Sequence, residues 1–81
     1  MATLNITYNG MSSDLPLELD RPVSDVDVRR IAVELVRSGG VPGLHLAQLS
    51  DDAFNLYVVD RFRGPRGEER IYLRPKVPFG A

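Results

Sequence analysis

The 81-residue chain contains no cysteine. That excludes a disulfide framework, a thiolate metal site and any chemistry that runs through a cysteine thioester. Histidine occurs once, as His45, and a single imidazole without cysteine does not build a metal site. No serine stands in a nucleophile-elbow setting. Asp51 and Asp52 are adjacent and read as turn or capping residues. No active site and no cofactor is therefore expected, and the chain reads as a non-enzyme. No apolar run approaches the roughly 20 residues that a helix needs to cross a bilayer. The opening stretch MATLNITYNG lacks the basic and apolar regions of a signal peptide. The expected location is the cytoplasm, with no membrane partner. Lysine is nearly absent as well: nine of the ten basic residues are arginine, and Lys76 is the exception. Arginine-rich codon usage in a GC-rich genome is one explanation. Net charge is −1, so bulk electrostatics recruits no partner.

What remains is one small globular domain, with 43% hydrophobic residues. Near its start, Leu4, Ile6 and Tyr8 alternate with Thr3, Asn5 and Thr7, the period of a half-buried strand. Asn9-Gly10 then suits a type I′ hairpin turn, which needs positive φ at both central residues. Across that turn Tyr8 faces Met11, Ile6 faces Ser13 and Leu4 faces Leu15, all on one side of the sheet. Pro16 cannot donate to a ladder, so the second strand is expected at an edge. A helix follows. Ser24 is its N-cap with Asp27 three residues on, and Val23 and Val28 form a hydrophobic staple. Val28, Ile31, Ala32, Leu35 and Val36 make the apolar stripe, with Arg29, Arg30, Glu34 and Arg37 on the wet side. Gly39-Gly40 stops the helix.

The connection after it carries Leu44, Leu46 and Leu49, expected to plug the open side of the core. AFNLYVVDRF, residues 53–62, is expected as a strand. Phe54, Leu56, Val58 and Phe62 would share one face, and Tyr57, Val59 and Arg61 the other. RGPRGEE is a hairpin loop, and RIYLR is the last strand before Pro75 ends it. The element order is strand, strand, helix, strand, strand. One helix packed across one face of a four-stranded mixed sheet is an α+β layout. The natural place for the last strand is beside the first and parallel to it, the β-grasp arrangement.

With these elements the chain resembles the ubiquitin-like β-grasp family, including small bacterial ubiquitin-like modifier proteins. NITYNG…LPLEL resembles the first hairpin, VSDVDVRRIAVELVRSGGVPG the helix and its exit, and RIYLRPKVPFGA a last strand running into a C-terminal tail. The resemblance implies a domain over residues 1–75 and an extended tail over 76–81. It also implies a modifier or carrier, activated at its C-terminus and joined to a target protein by an isopeptide bond. Its partners would be activating, conjugating or deconjugating enzymes and that target. Such modifiers typically expose Gly-Gly, whereas this chain ends Phe79-Gly80-Ala81. Gly80 would enter an adenylation site, with Ala81 trimmed first or itself the acyl end, and Phe79 would be a recognition handle. A near-absence of lysine suits a protein delivered to lysines by its own enzymes. The competing reading of the tail is a frayed terminus, or Val77 and Phe79 folded back on the core edge.

The open face of the sheet offers the other candidate. Tyr57, Val59 and Tyr72 are expected there, ringed by Arg61, Arg70 and Arg74, and tyrosine and arginine dominate binding hot spots. This suits a non-covalent adaptor that binds a protein partner, although ordinary cross-strand pairing would also place aromatics there. Gly64-Pro65-Arg66-Gly67 matches a GxxG loop amid Arg61, Arg63 and Arg70. GxxG loops of RNA-binding domains join helices, and here the loop joins strands, so nucleic acid is not expected as a partner.

Overall fold

The computed structural model describes residues 2–18 and 22–76. Its elements are β1 (Ala2–Tyr8), β2 (Met11–Leu17), α1 (Asp25–Ser38), β3 (Tyr57–Arg63) and β4 (Glu69–Pro75). The four strands form one mixed sheet in the order β2-β1-β4-β3. β1 and β4 run parallel at its centre, and each is flanked by its antiparallel hairpin partner. The fold is α+β, with one helix over one face of the sheet.

The first hairpin forms in the register expected from the sequence. Asn9 and Gly10 take φ of 50° and 78°, and Tyr8 pairs Met11, Ile6 pairs Ser13 and Leu4 pairs Leu15. A two-residue turn closes on a hydrogen-bonded pair, and bonded pairs then alternate along the ladder. The N-position of Pro16 therefore points away from β1, and its missing donor costs no ladder bond.

The Ser24 side chain accepts the N–H of Asp27 at 3.1 Å, capping α1 as expected. At the other end Gly39 is left-handed, with φ 81°. Three of the last carbonyls have partners: Leu35 O accepts Gly40 N–H at 2.9 Å, Val36 O accepts Leu46 N–H at 3.2 Å, and Arg37 O lies 3.0 Å from His45 Nε2. The lone histidine is thus a capping group at the helix end. Val28, Ala32, Val33 and Val36 are buried. Ile31 and Leu35 of the expected stripe are only half-buried, and Val33 takes the central place. These side chains meet Leu4, Ile6, Leu15, Ile71 and Leu73 of the sheet in one core.

In the helix-to-sheet connection Val41 and Leu49 are buried and Leu44 is half-buried, but Leu46 stays exposed. The third strand begins later than expected. Residues 51–56 form successive turns, in which Ala53, Asn55 and Tyr57 donate to Ser50 O, Asp52 O and Phe54 O at 3.1, 3.1 and 3.0 Å. Two helix arginines of the nominal wet side hold this segment. Arg37 donates to Leu49 O at 2.6 Å and pairs with Asp51 at 2.8 Å; Arg29 Nη2 donates to Tyr57 O at 3.0 Å. The turns let Phe54 drop into the core, where it meets Tyr8 and Tyr57 edge-on at 6.0 and 4.8 Å.

Candidate functional site

The late start of β3 changes which side chains reach the open face. Residues directly opposite in an antiparallel ladder share a face. Val59 lies opposite Leu73 and Arg61 opposite Ile71, both core residues, so Tyr57, Val59 and Arg61 point to the helix side. The sequence-based expectation for these three is corrected. A single uninterrupted strand from residue 53 would have put them outside, because Phe54 must point in. The turns at 51–56 break that phase, so the buried Phe54 no longer fixes the parity of β3.

Each displaced residue has a local role. Tyr57 and Val59 pack against the core. Burial pushes the Tyr57 phenol pKa up, and the nearby Tyr8 phenol adds to the shift. Arg61 Nη2 donates to Val23 O and to the Asp25 carboxylate, both at 2.8 Å, and so ties the start of α1 to β3.

The open face carries Val58, Asp60 and Phe62 of β3 opposite Arg74, Tyr72 and Arg70 of β4. Tyr72, Arg70 and Arg74 were expected there; Val58 and Phe62 replace Tyr57 and Val59. Phe62 stands edge-on to Tyr72 with centroids 5.5 Å apart, and it remains 54% exposed. One exposed aromatic is ordinary, and it is the grouping of exposed apolar side chains that gives the face its character. Val58 is also exposed, and Leu56 just before the strand is 85% exposed. Arg74 pairs with Asp60. Among the described residues Arg70 has no carboxylate in ion-pair contact. Its guanidinium pKa is pushed further up, chiefly by the neighbouring Tyr72 hydroxyl, so it is a permanent cation beside the aromatic pair. Across the sheet, the β1–β2 half of this face is polar: Asn5 donates to Asp14 at 2.7 Å and Ser12 to Asn5 at 3.0 Å.

The GxxG hairpin is closed on itself. Arg66 N–H donates to Glu68 Oε2 at 3.0 Å, and the Glu68 carboxyl lies against Gly64, where an added Cβ would collide with Oε1. A carboxylate there repels a nucleic-acid phosphate. Gly80, Ala81 and Phe79, the residues of the expected attachment tail, lie outside the described residues. Among the described residues no helix is long and apolar enough to cross a membrane, and no cluster of His, Cys, Asp and Glu is placed to hold a metal ion. No protein-family model, curated protein or solved structure matches the chain.

Proposed function

We propose that the chain is a ubiquitin-like β-grasp domain that binds a protein partner through the β3–β4 half of its open sheet face. The β2-β1-β4-β3 order, with a helix crossing from the first hairpin to the second, supports the β-grasp reading. The observation that carries the binding reading is the exposed Phe62, edge-on to Tyr72, with Val58 beside it and Arg70, which has no ion-pair partner among the described residues. The partner that fits is a protein surface presenting an apolar side chain next to a carboxylate. Aromatic contact would supply the desolvated centre, and Arg70 the charge at the rim. The domain is not an enzyme in this reading.

The test is photo-crosslinking from position 58 in the producing cells, followed by affinity measurement on the captured partner. Phe62→Ala and Tyr72→Ala should each weaken binding by about 2 kcal/mol while the melting transition is retained. If binding survives both substitutions, or is lost only together with the fold, the face is structural.

C-terminal attachment is the second reading. One observation favours it: β4 ends at Pro75, and both Pro75 and Lys76 are exposed, so the chain leaves the sheet at the surface. In this reading Phe79 is the handle and Gly80 or Ala81 the acyl end, joined by activating and conjugating enzymes to a cytoplasmic target. An adduct whose tryptic peptide carries Gly80 or Ala81 on a target lysine would establish it. Absence of any adduct, with activity intact in Gly80→Glu, would remove it.

A further inference from the structure

The outer strand β3 has a feature separate from the face just described. Bonded and non-bonded residues alternate along an antiparallel ladder. Gly64 N–H donates to Glu68 O across the β3–β4 hairpin, so the even residues of β3 turn their backbone groups toward β4. The odd residues turn theirs outward. Tyr57 agrees with this parity, because its N–H goes to Phe54 O and its carbonyl to Arg29. The N–H and C=O groups of Val59, Arg61 and Arg63 thus point off the sheet. Among the described residues none of these backbone groups has a hydrogen-bond partner.

We propose that this edge is a docking site for an extended peptide of another protein, which adds as a fifth strand beside β3. Its occupant is set by what flanks the edge. Val58 and Phe62 lie on the open-face side, and Arg61 and Arg63 on the helix side. Side chains of an added strand alternate in step with these. The matching peptide therefore alternates apolar residues, set beside Val58 and Phe62, with acidic residues, set beside Arg61 and Arg63. Arg63 gives the charge preference its strength, since among the described residues its guanidinium reaches only the Gly67 carbonyl, at 3.2 Å.

A second copy of this chain is a poor occupant. Antiparallel self-pairing that uses more than Val59 sets Asp60 against Asp60, or one of Arg61 and Arg63 against an arginine of the other copy. Like charges directly opposite destabilise a ladder. The register centred on Val59 needs Tyr57 groups that Phe54 and Arg29 already hold. The opposite edge is poorer still, because Pro16 removes one of its outward donors.

The experiment uses the full chain and a blocked seven-residue peptide alternating valine and glutamate, followed by amide NMR and hydrogen exchange. In the free protein the amides of Val59, Arg61 and Arg63 should exchange fast, and those of Val58, Asp60 and Phe62 slowly. The peptide should slow the first three and leave the second three unchanged. A peptide alternating valine and lysine should not. Arg63→Pro removes one outward donor and the guanidinium but no β4 bond, and should weaken the valine–glutamate peptide by more than the roughly fivefold worth of one hydrogen bond, whereas Arg63→Gln, which keeps the donor, should lose only the preference for glutamate over lysine. Three results would overturn the proposal. The first is protection of Val59, Arg61 and Arg63 in the free chain, which means that the edge is already covered. The second is equal binding of both peptides. The third is binding that moves Tyr72 and Phe62 ring signals without touching the three amides. Tyr72→Ala separates the two readings, because it removes a contact of the face on β4 and leaves the edge backbone, Val58 and Phe62 of β3 in place.

Discussion

β2 and β3 are both seven-residue strands at the rim of one sheet, yet they present opposite edges. β2 turns Ser12, Asp14 and Pro16 outward, and Ser13 ties it to the connection after α1 by donating to Pro42 O at 2.8 Å. One of its three outward residues has no donor to offer. β3 turns Val59, Arg61 and Arg63 outward with all donors intact. Proteins blunt edges with proline and charge to avoid unwanted pairing. Here β2 carries the proline, whereas β3 carries arginines, one of which is engaged by Asp25. The lesson is that a small sheet can close one edge by covalent chemistry and leave the other guarded only by charge. An edge guarded by charge refuses its own copy but admits a strand of opposite sign.

The largest expected effect strikes the β3 side alone. Phe54 is buried under Tyr8 and Tyr57 where the chain enters β3. Phe54→Ala should cost about 3–5 kcal/mol in urea unfolding, from lost transfer free energy and the cavity left behind. Hydrogen exchange should quicken in β3 before β2. If β2 loosens first, Phe54 is not what seats the β3 edge.

Next comes the helix start. Arg61 reaches Val23 O and Asp25 from β3, so the first turn of α1 braces that edge and not the other. Ser24→Ala should lower stability by about 1 kcal/mol, since it leaves the Asp27 N–H without its acceptor. An unchanged denaturation midpoint would mean that the cap contributes nothing.

A smaller effect tests the other edge. Pro16→Thr should destabilise by about 0.4–1 kcal/mol, because the unfolded chain gains conformational freedom. The new amide should exchange at nearly the rate of an open chain, as an outward N–H with no partner. Protection at that position would show that β2 is covered and would undo the contrast between the edges.

The smallest effect at neutral pH is Tyr57→Phe. The Tyr57 pKa is raised in the folded chain, so between the unfolded value of about 10 and the folded one the native state holds more protons than the unfolded state. The contribution is fully present below pH about 10 and is lost as pH rises through the folded pKa. Unfolding curves from pH 8 to 11 should fall for the native chain and fall less for Tyr57→Phe. Parallel curves would place the phenol in water.

Much of this architecture was legible residue by residue. Asn9-Gly10 set the hairpin register, Pro16 put β2 at an edge, and Ser24 and Gly39 marked the helix ends. These signals are local: each depends on φ, on a missing donor or on a side chain reaching its own backbone. The candidate face was half legible. Tyr72, Arg70 and Arg74 lie on it because Ile71 and Leu73 had to be buried. Tyr57, Val59 and Arg61 do not, because both faces of β3 are apolar enough to be the inner one. The available signal was the turn formers Asp51 and Asp52 just before Phe54 and Asn55 just after it, between Phe54 and the strand. That signal warns of a broken phase without saying which phase follows it.

The sequence by itself determined the order of the elements, the first hairpin's register and the parity of β4, since these follow from short-range backbone chemistry and from strands whose two faces differ sharply. Only the tertiary structure decided the parity of β3. Arg29 and Arg37, reaching from α1, hold the carbonyls of Tyr57 and Leu49 and thereby fix where the turns end and the strand begins. That contact joins residues 28 positions apart for Arg29 and Tyr57, and no local pattern encodes it. On it rest the exposure of Phe62 and the outward aim of the Val59, Arg61 and Arg63 backbone, because once the strand's starting residue is set, the pleat dictates every side chain after it.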